Sequence, residues 1–241
     1  MNRTLPNWLA KKYFHIVSTF GYLPFSMKEV KNLSEKYSVS VLLAKMCSYG
    51  WLHRLDRGIY MAIPPIIALM KASGNNWGDK ILQRDRLPIL DLIVARLIEE
   101  LGPKLRSIVL FGSLARGKAK PESDIDLLVV ADSLPERYSE RVKIISKVKN
   151  FWQLDHLILK LWKEKGIYTN LDILLITKEE AGMIHPFYLD MVDEGILILD
   201  KDEIMAKKIK EVKDRLREIG AIKIVEPEGS WYWILPKETK G

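Results

Sequence analysis

The sequence predicts an α/β (α+β) protein of two domains. Its 241 residues exceed one typical domain and fall short of three. The first quarter reads as helices closed by a β-hairpin, whereas the rest alternates helices with short apolar strands, one of which runs straight into a Gly-Ser pair. A composition of 48% hydrophobic and 29% charged residues belongs to a folded protein and excludes a fibrous or wholly disordered chain. The expected division is a first domain over residues 1–67, a linker over 68–87 and a second domain over 88–241.

A first helix is expected from Trp8 to Phe20, closed by Gly21 and Pro24. A second opens at Ser26, where Ser26 and Glu29 have capping-box spacing and Phe25 and Val30 are placed as a hydrophobic staple. The third spans about Ser38 to Tyr49, with Val39, Leu42, Met46 and Tyr49 recurring at helical spacing. Gly50 ends it. Trp51–Leu55, the turn Asp56-Arg57-Gly58 and Ile59–Ile63 then read as a hairpin.

Three helices and a hairpin make a winged helix-turn-helix. The run Gly50-Trp51-Leu52-His53-Arg54 through Arg57-Gly58-Ile59-Tyr60 resembles the winged-helix modules at the N-terminus of some prokaryotic regulators and antitoxins. That resemblance implies a third helix in a DNA major groove, with Arg54 and Arg57 of the wing on phosphate. The outward face of the helix, Val41, Ala44, Lys45 and Ser48, offers a single cation, and so equally fits contact with protein.

Gly74, Asn75, Asn76 and Gly78 mark the turn-rich stretch expected to be the linker. Pro88 then starts an amphipathic helix with Leu90, Ile93, Val94, Leu97 and Leu101 on one face, stopped by Gly102-Pro103. A buried strand, Ser107–Phe111, leads directly into Gly112-Ser113 and a new helix. Such a junction can seat a phosphate: Gly112 permits close backbone approach, Ser113 offers a hydroxyl, and the free amides of a helix start favour an anion. Many α/β proteins carry the same junction without a ligand.

Ten residues after Ser113 comes Asp124-Ile125-Asp126, opening a second strand. Side chains alternate along a strand, so Asp124 and Asp126 share a face. Adjacent carboxylates repel unless a cation lies between them, and oxygen-rich pairs suit Mg²⁺. A lone Asp-x-Asp is common on solvent-facing strands, but Asp172, on a further apolar strand over Asn170–Ile176, supplies a third carboxylate. It is expected to be buried and therefore to need a partner.

The combination of Gly-Ser, ten residues, Asp-x-Asp and a later strand Asp resembles the DNA polymerase beta nucleotidyltransferase superfamily, most closely its minimal nucleotidyltransferase branch. The resemblance covers about Leu90 to Ile176. The segment from His185-Pro186 to Asp200, and then Gly229-Ser230-Trp231-Tyr232-Trp233, also looks like a tail of archaeal members. What this implies is a small mixed sheet flanked by helices. It also implies transfer of a nucleoside monophosphate from an NTP, ATP first among them, to a hydroxyl of RNA or protein, with pyrophosphate leaving. Asp124 and Asp126 would hold two Mg²⁺ ions about 3.5–4 Å apart, and Asp172 would complete the site that activates the hydroxyl. Gly112, Ser113 and Arg116 would grip the phosphates. Arg116 equally fits a structural salt bridge, and Lys118 and Lys120 either steer the triphosphate or solvate a loop.

Phosphoryl transfer rests on positioning and charge neutralisation, so no nucleophilic triad is required. His15, His53, His156 and His185 are scattered and read as structural or surface residues. Ser133-Leu134-Pro135-Glu136 is expected to cap a long helix with Tyr138, Val142, Ile145, Val148 and Trp152 inward. Arg137, Arg141, Lys143, Lys147 and Lys149 on its outer face fit either an RNA backbone or simple solvation. The last helix turns Ile209, Val212, Leu216 and Ile219 inward beneath a basic surface that Glu211, Asp214 and Glu218 interrupt. Trp231, Tyr232 and Trp233 fit either base stacking or a core.

The net charge of +7 favours polyanionic partners, although a Lys-rich solvated surface produces the same excess. Cys47 is the sole cysteine, which rules out a disulfide within the chain. The longest apolar run, Met61–Met70, is too short to cross a bilayer, so a cytoplasmic protein without a membrane partner is expected. The rival expectation is a DNA-binding regulator or antitoxin whose transferase domain binds nucleotide or modifies a partner toxin.

Overall fold

The computed structural model describes residues 5–33, 38–226 and 231–236. In chain order the elements begin with α1 (Asn7–Phe20), β1 (Phe25–Ser26), α2 (Val39–Ser48), β2 (Leu52–Asp56), β3 (Ile59–Ala62), α3 (Pro65–Ala72) and α4 (Leu87–Leu101). There follow β4 (Leu105–Phe111), α5 (Gly112–Ala115), β5 (Ile125–Ala131), α6 (Tyr138–Lys149), α7 (Trp152–Lys165), β6 (Leu171–Thr177) and α8 (Lys178–Gly182). Last come β7 (Ile196–Asp200), α9 (Ile204–Glu218), β8 (Ile222–Val225) and β9 (Trp231–Ile234). The chain divides into two compact units, residues 1–102 with 142–168 and residues 103–141 with 169–241.

In the first unit, Leu9, Tyr13 and Ile16 of α1 pack with Leu42, Leu43 and Met46 of α2 and with Phe25, Leu52 and Tyr60 of a three-stranded antiparallel sheet ordered β1-β3-β2. Gly58 turns the hairpin with φ +75°. The α-helix expected from Ser26 is absent from the described residues. Ser26 pairs with Ile59 in the sheet, and the ladder claims its backbone before a helix can start. The local cap chemistry survives as a turn: the Ser26 N–H donates to Glu29 Oε2 at 2.7 Å, and a single 3₁₀ turn, Lys31–Leu33, follows.

The stretch expected as a linker is built into this unit. It holds α3 and 3₁₀ turns at Trp77–Lys80 and Arg84–Arg86, with Trp77 and Ile81 buried. Helix α4 is buried along nearly its whole length, including Asp91, which has no exposure. Asp91 Oδ2 accepts from Lys71 Nζ and pairs with His53 Nε2, each at 2.8 Å.

The second unit is a mixed four-stranded sheet flanked by helices, ordered β6-β5-β4-β7. Strand β4 is antiparallel to both neighbours, and β5 and β6 run parallel. A parallel pair needs a long crossover, supplied here by the segment containing α6 and α7. On one face Val109, Leu128, Val130 and Ile176 pack with Ala181, Tyr188, Met191 and Met205. Thr177 and Glu180 form a capping box that starts α8, and Asp200 accepts from the amides of Met205 and Ala206 to start α9.

The long helix expected from Ser133 is instead two shorter ones. Ser133 takes φ +53° and cannot cap, and α6 begins only at Tyr138. Tyr138 and Trp152, expected inward, are 70% and 61% exposed. Arg141, expected outward, is buried because its guanidinium donates to both carboxylate oxygens of Glu180, at 2.9 and 2.6 Å, and to the Pro135 carbonyl at 2.6 Å. Lys208 is likewise buried, with Nζ donating to the Gly182 carbonyl at 2.8 Å.

Candidate active site

The three aspartates picked out by spacing lie at one end of the sheet. Asp126 is the second residue of β5, in register with Asp172 on β6 and with Phe111 on β4. Asp124 immediately precedes β5, where its Oδ1 accepts from the Asn170 amide at 3.3 Å. Asp126, Leu128 and Val130 alternate onto one face, and Asp172, Leu174 and Ile176 do the same on the neighbouring strand. The apolar members of both series join the core already described. A continuous face thus runs from packed aliphatic side chains to carboxylates.

The carboxylates are not equivalent. Asp124 and Asp172 are exposed, while Asp126 is half-buried. For Asp172 this corrects the expectation of a buried charge: the strand opens to solvent at its first turn of the ladder, and water stabilises the carboxylate there. Asp126 has its pKa pushed up to about 6, mainly by burial and then by the negative charges of Asp172, Asp124 and Asp190, with Arg116 opposing.

Gly112 explains how Asp126 is held. Its φ is +72°, which L side chains rarely adopt, and a Cβ at this position would stand 2.0 Å from Asp126 Oδ2 and 2.9 Å from its Cγ. Only a residue without a side chain lets β4 pass beside that carboxylate and turn into α5. Gly112 is therefore the wall against which Asp126 rests.

Residues 93–180, which contain Gly112 and the three aspartates, match the nucleotidyltransferase domain family. This segment is a nucleotidyltransferase domain, and the protein is an enzyme of that type. A putative protein adenylyltransferase of Methanocaldococcus jannaschii is 29% identical over 145 residues, spanning 59% of this chain and 90% of the relative. Among solved structures, a toxin-antitoxin crystal structure with AMP-PNP is similar at 20% identity and a TM-score of 0.32. The match covers 53% of this chain and 90% of that one. A structure from Shewanella oneidensis is similar at 14% identity and a TM-score of 0.27, covering 54% and 90%.

Within the nucleotidyltransferase domain, Ser113 follows Gly112 in the single turn of α5, and its carbonyl accepts from the Lys118 amide at 2.9 Å. Arg116 is engaged by Asp190, with Nη1 donating to Oδ1 at 3.1 Å. Asp190, at the end of the 3₁₀ turn Pro186–Asp190, was not among the residues selected from the sequence. Its only signal was its position in the tail segment that begins at His185-Pro186. Of the rest of that tail, Gly229 and Ser230 lie outside the described residues. Two of the histidines have their contacts elsewhere: His53 serves Asp91, and His185 pairs with the Glu180 carbonyl and stacks on Phe187. On α2, Val41, Ala44, Lys45 and Ser48 do face outward, and the Lys45 ammonium lies 5.7 Å from the Trp8 ring centroid.

A cation is the natural complement of this cluster. Among the described residues no group of three or more His, Cys, Asp or Glu is arranged to hold a metal ion. What is present is an in-register carboxylate pair, Asp126 and Asp172, with Asp124 close enough to repel. Mg²⁺ needs no more than one or two carboxylates, because water and substrate phosphate complete its shell. The residues therefore fit an ion that arrives with a nucleotide better than a closed all-protein cage. No helix among the described residues is long and apolar enough to cross a membrane.

Proposed function

We propose that the protein is a Mg²⁺-dependent adenylyltransferase that moves AMP from ATP to a hydroxyl on a protein. The observation that carries the reading is the in-register pairing of Asp126 with Asp172 beside Gly112, inside the nucleotidyltransferase domain. Choosing protein over RNA as acceptor is supported by the name of the archaeal relative.

In this reading Asp124, Asp126 and Asp172 hold the metal, with Gly112, Ser113 and Arg116 placing the triphosphate. The hydroxyl oxygen attacks the α-phosphorus. A P–O bond forms to the acceptor, the bond from the α-phosphorus to the β-phosphate oxygen breaks, pyrophosphate leaves with that electron pair, and the hydroxyl proton is lost to solvent. Mg²⁺ held there, as two ions in a two-metal scheme, would neutralise charge on the phosphates and would acidify the hydroxyl. The chain's own task is positioning. Arg116 can donate several N–H groups to phosphate oxygens, the Gly112 wall fixes Asp126, and the β5–β6 register fixes the spacing of Asp126 and Asp172.

The test is incubation with α-labelled ATP, Mg²⁺ and cell lysate. Label is expected in protein and is expected to vanish in Asp126→Ala, with the circular dichroism of the variant unchanged. Label entering RNA would overturn the choice of acceptor. Undiminished labelling by Asp126→Ala would overturn the assignment of the site.

A further inference from the structure

The antiparallel pair β8–β9 carries contacts that the transfer chemistry leaves unused. On β8, Lys223 Nζ donates to Asp193 and Glu194, both at 3.1 Å, and lies 4.9 Å from the centroid of the Trp231 ring on β9. The guanidinium of Arg116 stands 5.8 Å from the same centroid. Arg116 thus meets three things at once: an aromatic ring, the Asp190 carboxylate, and the turn that follows Gly112-Ser113. It is also incompletely used. One terminal nitrogen serves Asp190, while the Nε–H is buried and has no hydrogen-bond partner among the described residues.

We infer that Trp231 and Asp190 form a latch on Arg116, Asp190 being a resting counter-ion that an incoming triphosphate displaces and Trp231 the platform that keeps the guanidinium in place during the exchange. This rests on the reading of Arg116 as a phosphate contact.

Several physical arguments support it. A guanidinium is a planar fork of five donors suited to two-point contact with phosphate, and here it makes one contact of 3.1 Å to a carboxylate. The ion pair is partly open to solvent, with side-chain exposures of 18% and 35%, so an anion arriving from solvent can compete for it. A buried N–H without an acceptor is costly to leave unmade, and a triphosphate brings oxygens enough to satisfy it. A cation held against an indole face keeps its attraction to the ring whichever anion it serves, which makes Trp231 a positioning residue. The Lys223 bridge to Asp193 and Glu194 fastens the strand that pairs with Trp231: Val225 and Trp231 are partners in the β8–β9 ladder.

The experiment is isothermal titration of ATP with Mg²⁺ into the full chain, alongside transfer kinetics, for wild type, Asp190→Asn, Trp231→Ala and Trp231→Phe. Asp190→Asn is expected to bind ATP about 3–5-fold more tightly, having lost the competing anion. Trp231→Ala is expected to bind about 3–10-fold more weakly, the loss falling on KM rather than kcat, and Trp231→Phe to restore most of it. Unchanged or weaker binding by Asp190→Asn would overturn the latch, as would unchanged binding by a folded Trp231→Ala. If Trp231→Ala does not fold, Asp190→Asn decides alone. Wild type that binds no ATP would sink the adenylyl-transfer reading and this inference together, whereas wild type that binds and transfers while the variants match it would sink the latch only.

Discussion

Replacing Gly112 by alanine puts the site's geometry to its hardest test. The new methyl would sit 2.0 Å from Asp126 Oδ2, on a backbone held at φ +72°. Keeping an L residue in that region costs about 1–2 kcal/mol. Pushing Asp126 off its rotamer costs about 0.5–1.5 kcal/mol more, so the two together come to about 2–3 kcal/mol. At about 2–4 °C per kcal/mol for a chain of this size, the melting temperature should fall by about 4–12 °C. The effect on transfer should be larger than the effect on stability, because Asp126 must move by about an ångström, a displacement able to cost about 100-fold in rate. Differential scanning calorimetry and single-turnover labelling with α-labelled ATP read the two effects separately. A Gly112→Ala protein with the melting temperature and rate of wild type would refute the claim that this glycine walls in the carboxylate.

Other perturbations reach other parts of the molecule. The pKa of Asp126, about 6, lies above that of the unfolded chain, so the folded state binds this proton more tightly. Its contribution to stability is complete below about pH 4 and is lost as pH rises through about 6. The melting temperature of metal-free wild type relative to Asp126→Asn should therefore decline across that window, and Mg²⁺ affinity measured with ATP should climb across it. Glu180→Ala removes both the capping box of α8 and the carboxylate that neutralises buried Arg141, and should cost about 2–4 kcal/mol in urea unfolding. Lys71→Met should destabilise by about 3–5 kcal/mol by leaving Asp91 with His53 alone. Adding Asp91→Asn should recover part of that loss, and a double-mutant cycle showing strict additivity would contradict the pairing.

The sheet was legible because strands β4, β5 and β6 are apolar runs with charges only near their ends, although the alternation expected to join Asp124 to Asp126 does not reach Asp124, which precedes β5. Gly112 was legible as a site of close backbone approach, though not what approaches it, which depends on the β4–β5 register. Long-range pairing accounts for most of what was missed. Arg141 looks like one more surface cation until Glu180, 39 residues later, is brought to it. Asp91 drew no notice in the sequence, because its partners Lys71 and His53 come from other elements. At Ser26 the local signals for a helix start were all present, but strand pairing with Ile59 took precedence, an instance of tertiary contacts overriding a cap. Asp172 was singled out as a buried charge in need of a partner, and there the reading was mistaken: its carboxylate is exposed, so solvent satisfies it. Asp190 carries no motif of its own, and only the fold brings it to Arg116.

The carboxylate sunk into the middle of α4 bears on how this chain can be taken apart. Its two partners are contributed by β2 and α3, segments that a gene engineer would discard when trimming the protein to its transferase portion. Such a trimmed polypeptide would inherit a naked anion inside its leading helix, in the very stretch that feeds into β4. The first seventy or so residues are thus no detachable cassette. Lineages that lost or swapped them would need a neutral side chain at position 91 in the same step, which makes that position a marker of whether the front of the molecule and its transferase helix have travelled together.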